Sequence, residues 1–454
     1  MADHFVPVAD LPEGGEKFAA EKVSKFLSLT LVVGVVGAVV SLLALLGVFG
    51  DYLRDCYAYS YLFGFSVTFS IIAGGFFWVL LHHAINAGWG IAVRRIWEAF
   101  ARLIPLAFLF ALPFFLPTVQ DPLWEWMQEH RETKAHMQEA EVASAQDAHS
   151  AHNGHDTHHG GLHDALLHDH KILLAEKYGY LNIPFWTGRI LFYFLSMWCV
   201  MHFLLKWPLL QERDGDLGHT FRVRRLACGG LVIFAVSVSF WAIDFLKVLD
   251  YAWFSTMWGV YVFAGCAWSS MALSILVINF LRSQGYLQTV VTAEHYHTMG
   301  KLLLAFTIFW AYIAYDQFFL IWYANITEET KFYLIRNTDQ WHYVSLLLFV
   351  GHFVVPFICL LFVWLKKTPK LIGLVCAWVL FMHLVDHYWM IIPERGISIL
   401  EVPAVTAKGA WIGDVVALVT FVACFGHAYV RGLIKHSLYP WRDPRLQESV
   451  NLHN

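Results

Sequence analysis

Apolar runs of about 20 residues, the length that spans a bilayer core, recur along this chain, separated by charges, proline or glycine. Ten are recognisable, at 27–48, 58–82, 99–117, 185–207, 226–248, 257–281, 299–323, 342–366, 370–392 and 411–435. Lipid offers no partner to a free backbone N–H or C=O, so each run must be helical. The pattern therefore predicts an all-α integral membrane protein of ten transmembrane helices. Alternate connections carry the basic residues: Lys17, Lys22 and Lys25; Arg94 and Arg95; Arg213, Arg222, Arg224 and Arg225; Arg282; Lys366, Lys367 and Lys370; Arg431, Lys435, Arg442 and Arg445. The other connections hold Arg54, Lys247, Lys331, Arg336, Arg395 and Lys408, mixed with acids. Cytoplasmic loops are enriched in Lys and Arg, so both termini are expected in the cytoplasm. The organisation is then a cytoplasmic segment 1–26, spans one to three over 27–117, an outer loop 118–184, spans four and five over 185–248, spans six to nine over 249–392, an outer loop with span ten over 393–435, and a cytoplasmic tail 436–454.

Composition agrees: 58% of the residues are apolar, 17% aromatic and 15% charged, against about 25% charged in soluble domains. The net charge of -4 describes no nucleic-acid-binding surface. The seven cysteines are scattered, without a Cys-x-x-Cys, which argues against iron–sulfur ligation or covalent haem attachment in this chain. A di-haem b site needs paired axial histidines on facing helices, and no span shows that spacing. His82 and His83 stand next to each other at the inner end of span two, without further metal ligands. The outer loop holds a His-rich tract with His149, His152, His155, His158 and His159. Such tracts can bind Zn or Cu, but this spacing matches no closed tetrahedral site, and a solvated loop is the simpler reading.

Ionisable side chains inside the spans carry the functional signal, because each costs about 2.5–3.5 kcal/mol or more in lipid. Span seven carries Lys301, Tyr312, Asp316 and Tyr323, which fall within an arc of about 60° and form one polar stripe. Span nine carries His383, Asp386 and His387, spaced i, i+3, i+4 on one face. Asp244, His352, Asp414, His202 and His427 lie in other spans. The carboxylates and most of these histidines fall in the outer half. The set Asp244, Lys301, Asp316, His352, His383, Asp386, His387 and Asp414 is expected to form a proton path. The alternative is that each is a satisfied interhelical hydrogen bond.

Several segments together carry a family resemblance. They are "AGGFFWVLLHHAINAGWGIAVRRIWE" in span two, "EKYGYLNIPFWTGRILFYF" ahead of span four, "AIDFLKVLDYAWFSTMWGVYVFAG", "WAYIAYDQFFLIWYANITEET", and "HLVDHYWMIIPE" in span nine. From about residue 28 to 435 the chain resembles the ActF subunit of alternative complex III, a membrane subunit of the NrfD/PsrC-like family. The resemblance implies two four-helix bundles, spans two to five and six to nine, with two peripheral helices. It implies a place in the bacterial inner (cytoplasmic) membrane, in a quinol:cytochrome c (electron carrier) oxidoreductase. There the chain would support menaquinol oxidation and proton translocation through a half-channel, with no redox centre or catalytic residue of its own. Implied partners are an ActC-like paralogue, an iron–sulfur ActB-like subunit, a multihaem c ActA-like subunit, small membrane subunits, a terminal oxidase and lipid. Haem c and iron–sulfur clusters would sit in those partners, and the resemblance assigns no quinone-binding residues here. Asp316 departs from the small polar residue expected in the family, and the His-rich insert is no family feature. Two other functions stay open: a structural anchor for the haem and iron–sulfur subunits, and an independent ion transporter. The transporter reading is the poorer fit, because the spans lack paired broken helices.

Overall fold

The computed structural model describes residues 6–7, 10–132, 172–338, 340–395 and 409–453. The His-rich tract with His149, His152, His155, His158 and His159, and Lys408, lie outside the described residues. Among the described residues, ten helical segments are long and apolar enough to cross a membrane: α1 (Ala20–Leu45), α2 (Asp51–Ile85), α3 (Arg94–Phe115), α4 (Ile183–Asp214), α5 (Gly218–Leu249), α6 (Trp258–Ser283), α7 (Ala293–Ala324), α8 (Trp341–Leu361), α9 (Pro369–Glu394) and α10 (Ala410–Lys435). The chain is an all-α multi-pass membrane protein, as the apolar pattern predicts. Its helices overrun the apolar runs because hydropathy sees only the hydrocarbon-facing part. At 1.5 Å per residue the 35 residues of α2 reach about 50 Å, well beyond a core of about 30 Å. The connection beginning at 118 also holds structure that the apolar pattern did not predict: a short helix, Pro117–Leu123, precedes the fully buried Trp124 and Trp126.

Two rings of helices stand side by side. In the first, α2 packs on α3 and α5, and α4 packs on α5 and α3. In the second, α6 packs on α7 and α9, and α8 packs on both. The rings meet where α2 lies along α6, while α1 and α10 pair outside α2. Glycines on α2 let it lie close against both α6 and α3. A Cβ on Gly74 would overlap the backbone carbonyl of Cys266 on α6, and one on Gly75 would overlap Phe100 on α3. Close backbone approach of this kind drives helix association in lipid, where there is no hydrophobic force between helices. The two ends of the chain meet at one end of the molecule, where Leu438 N–H donates to the Glu16 carbonyl at 2.8 Å, as an even number of crossings requires.

α8 is irregular for a reason legible in its residues. Pro356 has no N–H to give to the preceding turn, and the turn over Leu348–Val354 widens into a π-helix. The Gly351 carbonyl is taken up from outside the helix by the Trp378 indole on α9, at 2.7 Å. The widened turn holds His352 against the inside of the second ring, fully buried. Such turns often sit at functional sites.

Replacing Gly74 with Leu should overpack the junction and cost about 1–3 kcal/mol. Gly188→Ala, whose new Cβ would meet nothing within 4 Å, is the control. Thermal unfolding of the purified protein checks this: the melting temperature should fall for the first and hold for the second.

Candidate functional site

On α9 the i, i+3, i+4 spacing turns His383, Asp386 and His387 to one face. The structure aims that face into the second ring, where all three are at most 1% exposed. Each offers one ligand-type atom, and these lie within 4.8 Å of one another. The walls come from three other helices. Tyr261 of α6 donates its hydroxyl to Asp386 Oδ1, and the Trp310 indole of α7 donates to Asp386 Oδ2 at 3.3 Å. His352 of α8 is stacked between Trp310 and Trp268, with ring centroids 3.6 and 4.0 Å away, and its Nε2 lies 4.0 Å from Asp386 Oδ2.

The hydrogen bonds fix two tautomers. Ser70 of α2 gives its own hydrogen to the Val67 carbonyl at 2.7 Å, so its oxygen accepts from His383 Nε2–H, also at 2.7 Å. His383 Nδ1 then carries a lone pair. His387 Nδ1 lies 3.2 Å from the His383 carbonyl, which can only accept, so His387 Nε2 carries the other lone pair. Neither nitrogen has a partner among the described residues, and neither has either nitrogen of His352. Buried polar atoms normally find partners. Four unpartnered imidazole nitrogens around one carboxylate therefore leave a place that can take a proton or ordered water. The same donors have the make-up of a divalent-metal site. Both Asp386 oxygens, however, are already satisfied by Tyr261 and Trp310, which leaves the imidazoles as the atoms seeking a partner.

The charge balance sets this carboxylate apart. Six carboxylates are buried among the described residues: Glu98, Asp244, Asp250, Asp386, Glu394 and Asp414. Five face an Arg or Lys. Glu98 is 3.2 Å from Arg94 and also pairs with Arg95. Asp250 is 3.8 Å from Lys331, and Glu394 is 2.9 Å from Arg336. Asp414 binds Arg395, and it accepts from Ser60 at 2.6 Å and Tyr388 at 3.3 Å. Asp244 is the most fully answered: Arg189 grips both oxygens at 2.9 and 2.8 Å, and Tyr180 and Tyr193 donate at 2.9 and 2.8 Å. Only Asp386 faces imidazole in place of a fixed cation.

The eight expected path residues thus separate. His352, His383, Asp386 and His387 converge. Asp244 and Asp414 sit in their own arginine clamps. Lys301 is exposed and Asp316 half-buried on a face of α7 that points out of the ring, with Tyr312 and Tyr323 exposed beside them. Of the other histidines in the spans, His202 is exposed on α4, and His427 of α10 lies 3.1 Å from the Leu27 carbonyl of α1. Sequence reasoning missed Ser70, Tyr261, Trp310 and Trp268, which look like ordinary apolar-span residues. It also missed Arg189, whose charge inside an apolar run was the available signal.

Neither protein-family models nor curated proteins give a match to this chain.

Removing one partner of a buried ion pair typically costs about 3–5 kcal/mol, whereas replacing both with apolar groups costs far less. Arg189→Met should therefore lower the melting temperature strongly, and the double variant Arg189→Met/Asp244→Leu should recover much of the loss. Thermal unfolding of the three proteins in one detergent checks the clamp.

Proposed function

We propose that this chain is the membrane subunit of a quinol:electron-carrier oxidoreductase of the alternative complex III type, and that its second helix ring handles protons released by menaquinol oxidation. The carrying observation is the cluster itself: one buried carboxylate without a fixed cation, ringed by three imidazoles with unpartnered nitrogens. Imidazole changes its charge near neutral pH, and a carboxylate beside it can exchange a proton with it. The ten-helix, two-ring architecture supports the resemblance from which the redox assignment comes.

Position supports the reading as well. Asp386 lies five residues before Ile391, where the regular α-helix of α9 ends, hence about 8 Å from that end. It is the end away from the chain termini. With the basic connections in the cytoplasm, the cluster sits in the outer half of the membrane. A proton accepted there is released outward. The haem and iron–sulfur groups belong to the partner subunits, and this chain supplies the proton-accepting interior beside them.

The anchor reading draws on a different observation, the arginine clamps Arg189–Asp244 and Arg395–Asp414, which tie helices together and leave no free acceptor. The two readings diverge in one experiment on the reconstituted complex. Asp386→Asn and His387→Gln should still assemble with the haem and iron–sulfur subunits, yet slow quinol-driven proton release about a hundredfold, the scale of losing a positioned proton acceptor. Asp316→Asn, outside the cluster, should stay near the wild-type rate. Unchanged proton release in the cluster variants would leave only the anchor.

A further inference from the structure

A second feature, far from the cluster, has the form of a lipid site. A cleft of about 290 Å³ opens on the membrane face between α1, α6 and α10, with α2 and α3 at its back. Its walls are apolar, from Phe26, Ile71, Val277, Phe280, Phe425 and Val430. Along α10 it extends from Val422 to Leu433, about 16 Å at 1.5 Å per residue. That is the depth of one leaflet's hydrocarbon, half of a core of about 30 Å. Glycine keeps it open: at Gly426 an added Cβ would meet only the Phe26 ring, at 3.8 Å.

The lower end of the cleft closes where the N-terminal segment is fastened to α6. Phe18 packs edge-on against Phe280 and Tyr286, with centroids 6.2 and 5.4 Å away. Lys22 Nζ donates to the Gln284 carbonyl at 2.6 Å and lies 4.6 Å from the Tyr286 ring centroid. Lys25 is exposed one helical turn on, beside Phe26. Arg282 follows Leu281, a residue of the cleft wall, and its guanidinium sits 5.7 Å from the Tyr296 ring centroid. None of these three cations is in an ion pair among the described residues, whereas Arg94, Arg95, Arg189, Arg336 and Arg395 all are.

We propose that this cleft binds an anionic phospholipid, with an acyl chain along α10 and the phosphate held by Lys22, Lys25 and Arg282. Chain length, apolar walls and three uncompensated cations at the interfacial end fit that ligand together. A zwitterionic lipid would satisfy the walls and leave the cations without a counter-charge. Each Lys or Arg near a membrane surface is worth about fivefold in affinity for anionic lipid, so three amount to roughly a hundredfold. The site does not depend on the redox-complex reading.

The test is native mass spectrometry of the full chain in mild detergent, titrated with phosphatidylglycerol and, separately, with phosphatidylcholine. The wild type should hold one phosphatidylglycerol in clear preference to phosphatidylcholine. The triple variant Lys22→Gln/Lys25→Gln/Arg282→Gln should lose that preference. Gly426→Phe, which fills the groove and leaves the cations in place, should weaken both lipids. Equal binding of the two lipids by the wild type would overturn the proposal. So would wild-type selectivity in the triple variant, or wild-type affinity for both lipids in the filled-groove variant.

Discussion

The cost of holding a carboxylate away from water governs this protein. An ionised carboxylate in an apolar interior must be answered by a cation or by several hydrogen-bond donors, or give up its charge. Five of the six buried carboxylates described are answered by Arg or Lys. Asp386 is answered by a phenol and an indole, with the His352 imidazole 4.0 Å away. Arginine stays charged under all ordinary conditions, so a clamp such as Arg189–Asp244 has one state. An imidazole can be neutral or cationic, so the Asp386 cluster has more than one. That difference separates the carboxylates held by fixed cations from the one that is not.

The two helix rings make the contrast internal to one chain. Each ends in a helix that carries an aspartate near the end away from the termini, Asp244 on α5 and Asp386 on α9. Around Asp244 the neighbouring helix supplies Arg189 and Tyr193. Around Asp386 the neighbouring helix supplies His352 on its π-turn, placed there because Pro356 breaks the regular ladder. The first ring becomes a fixed scaffold. The second carries unpartnered nitrogens in its core, beside the one His383 nitrogen that Ser70 of α2 satisfies.

Much of this was visible in the chain. Ten apolar runs gave ten helices, because length and composition alone decide whether a segment can cross lipid. The His383–Asp386–His387 face followed from helical spacing. The direction of a stripe did not follow. α7 has two stripes, and the one that packs inward is Met299, Leu303, Thr307, Trp310 and Ile313, which leaves Lys301 and Asp316 on the outer side. Helical periodicity shows that residues share a face, and neighbours decide where that face points. The arginine clamps were hidden for a related reason. Arg189 and Asp244 are 55 residues apart, and only the packing of α4 on α5 makes them a pair.

Under the proposed function, the α8–α9 imidazoles change protonation during turnover. Redox-triggered infrared difference spectroscopy on the intact complex, with isotope-labelled histidine, reads this directly. The predicted result is an isotope-sensitive imidazole signal that appears with quinol oxidation and is lost in His387→Gln and in Asp386→Asn. A difference spectrum without such a signal, or with one unchanged in both variants, would contradict it.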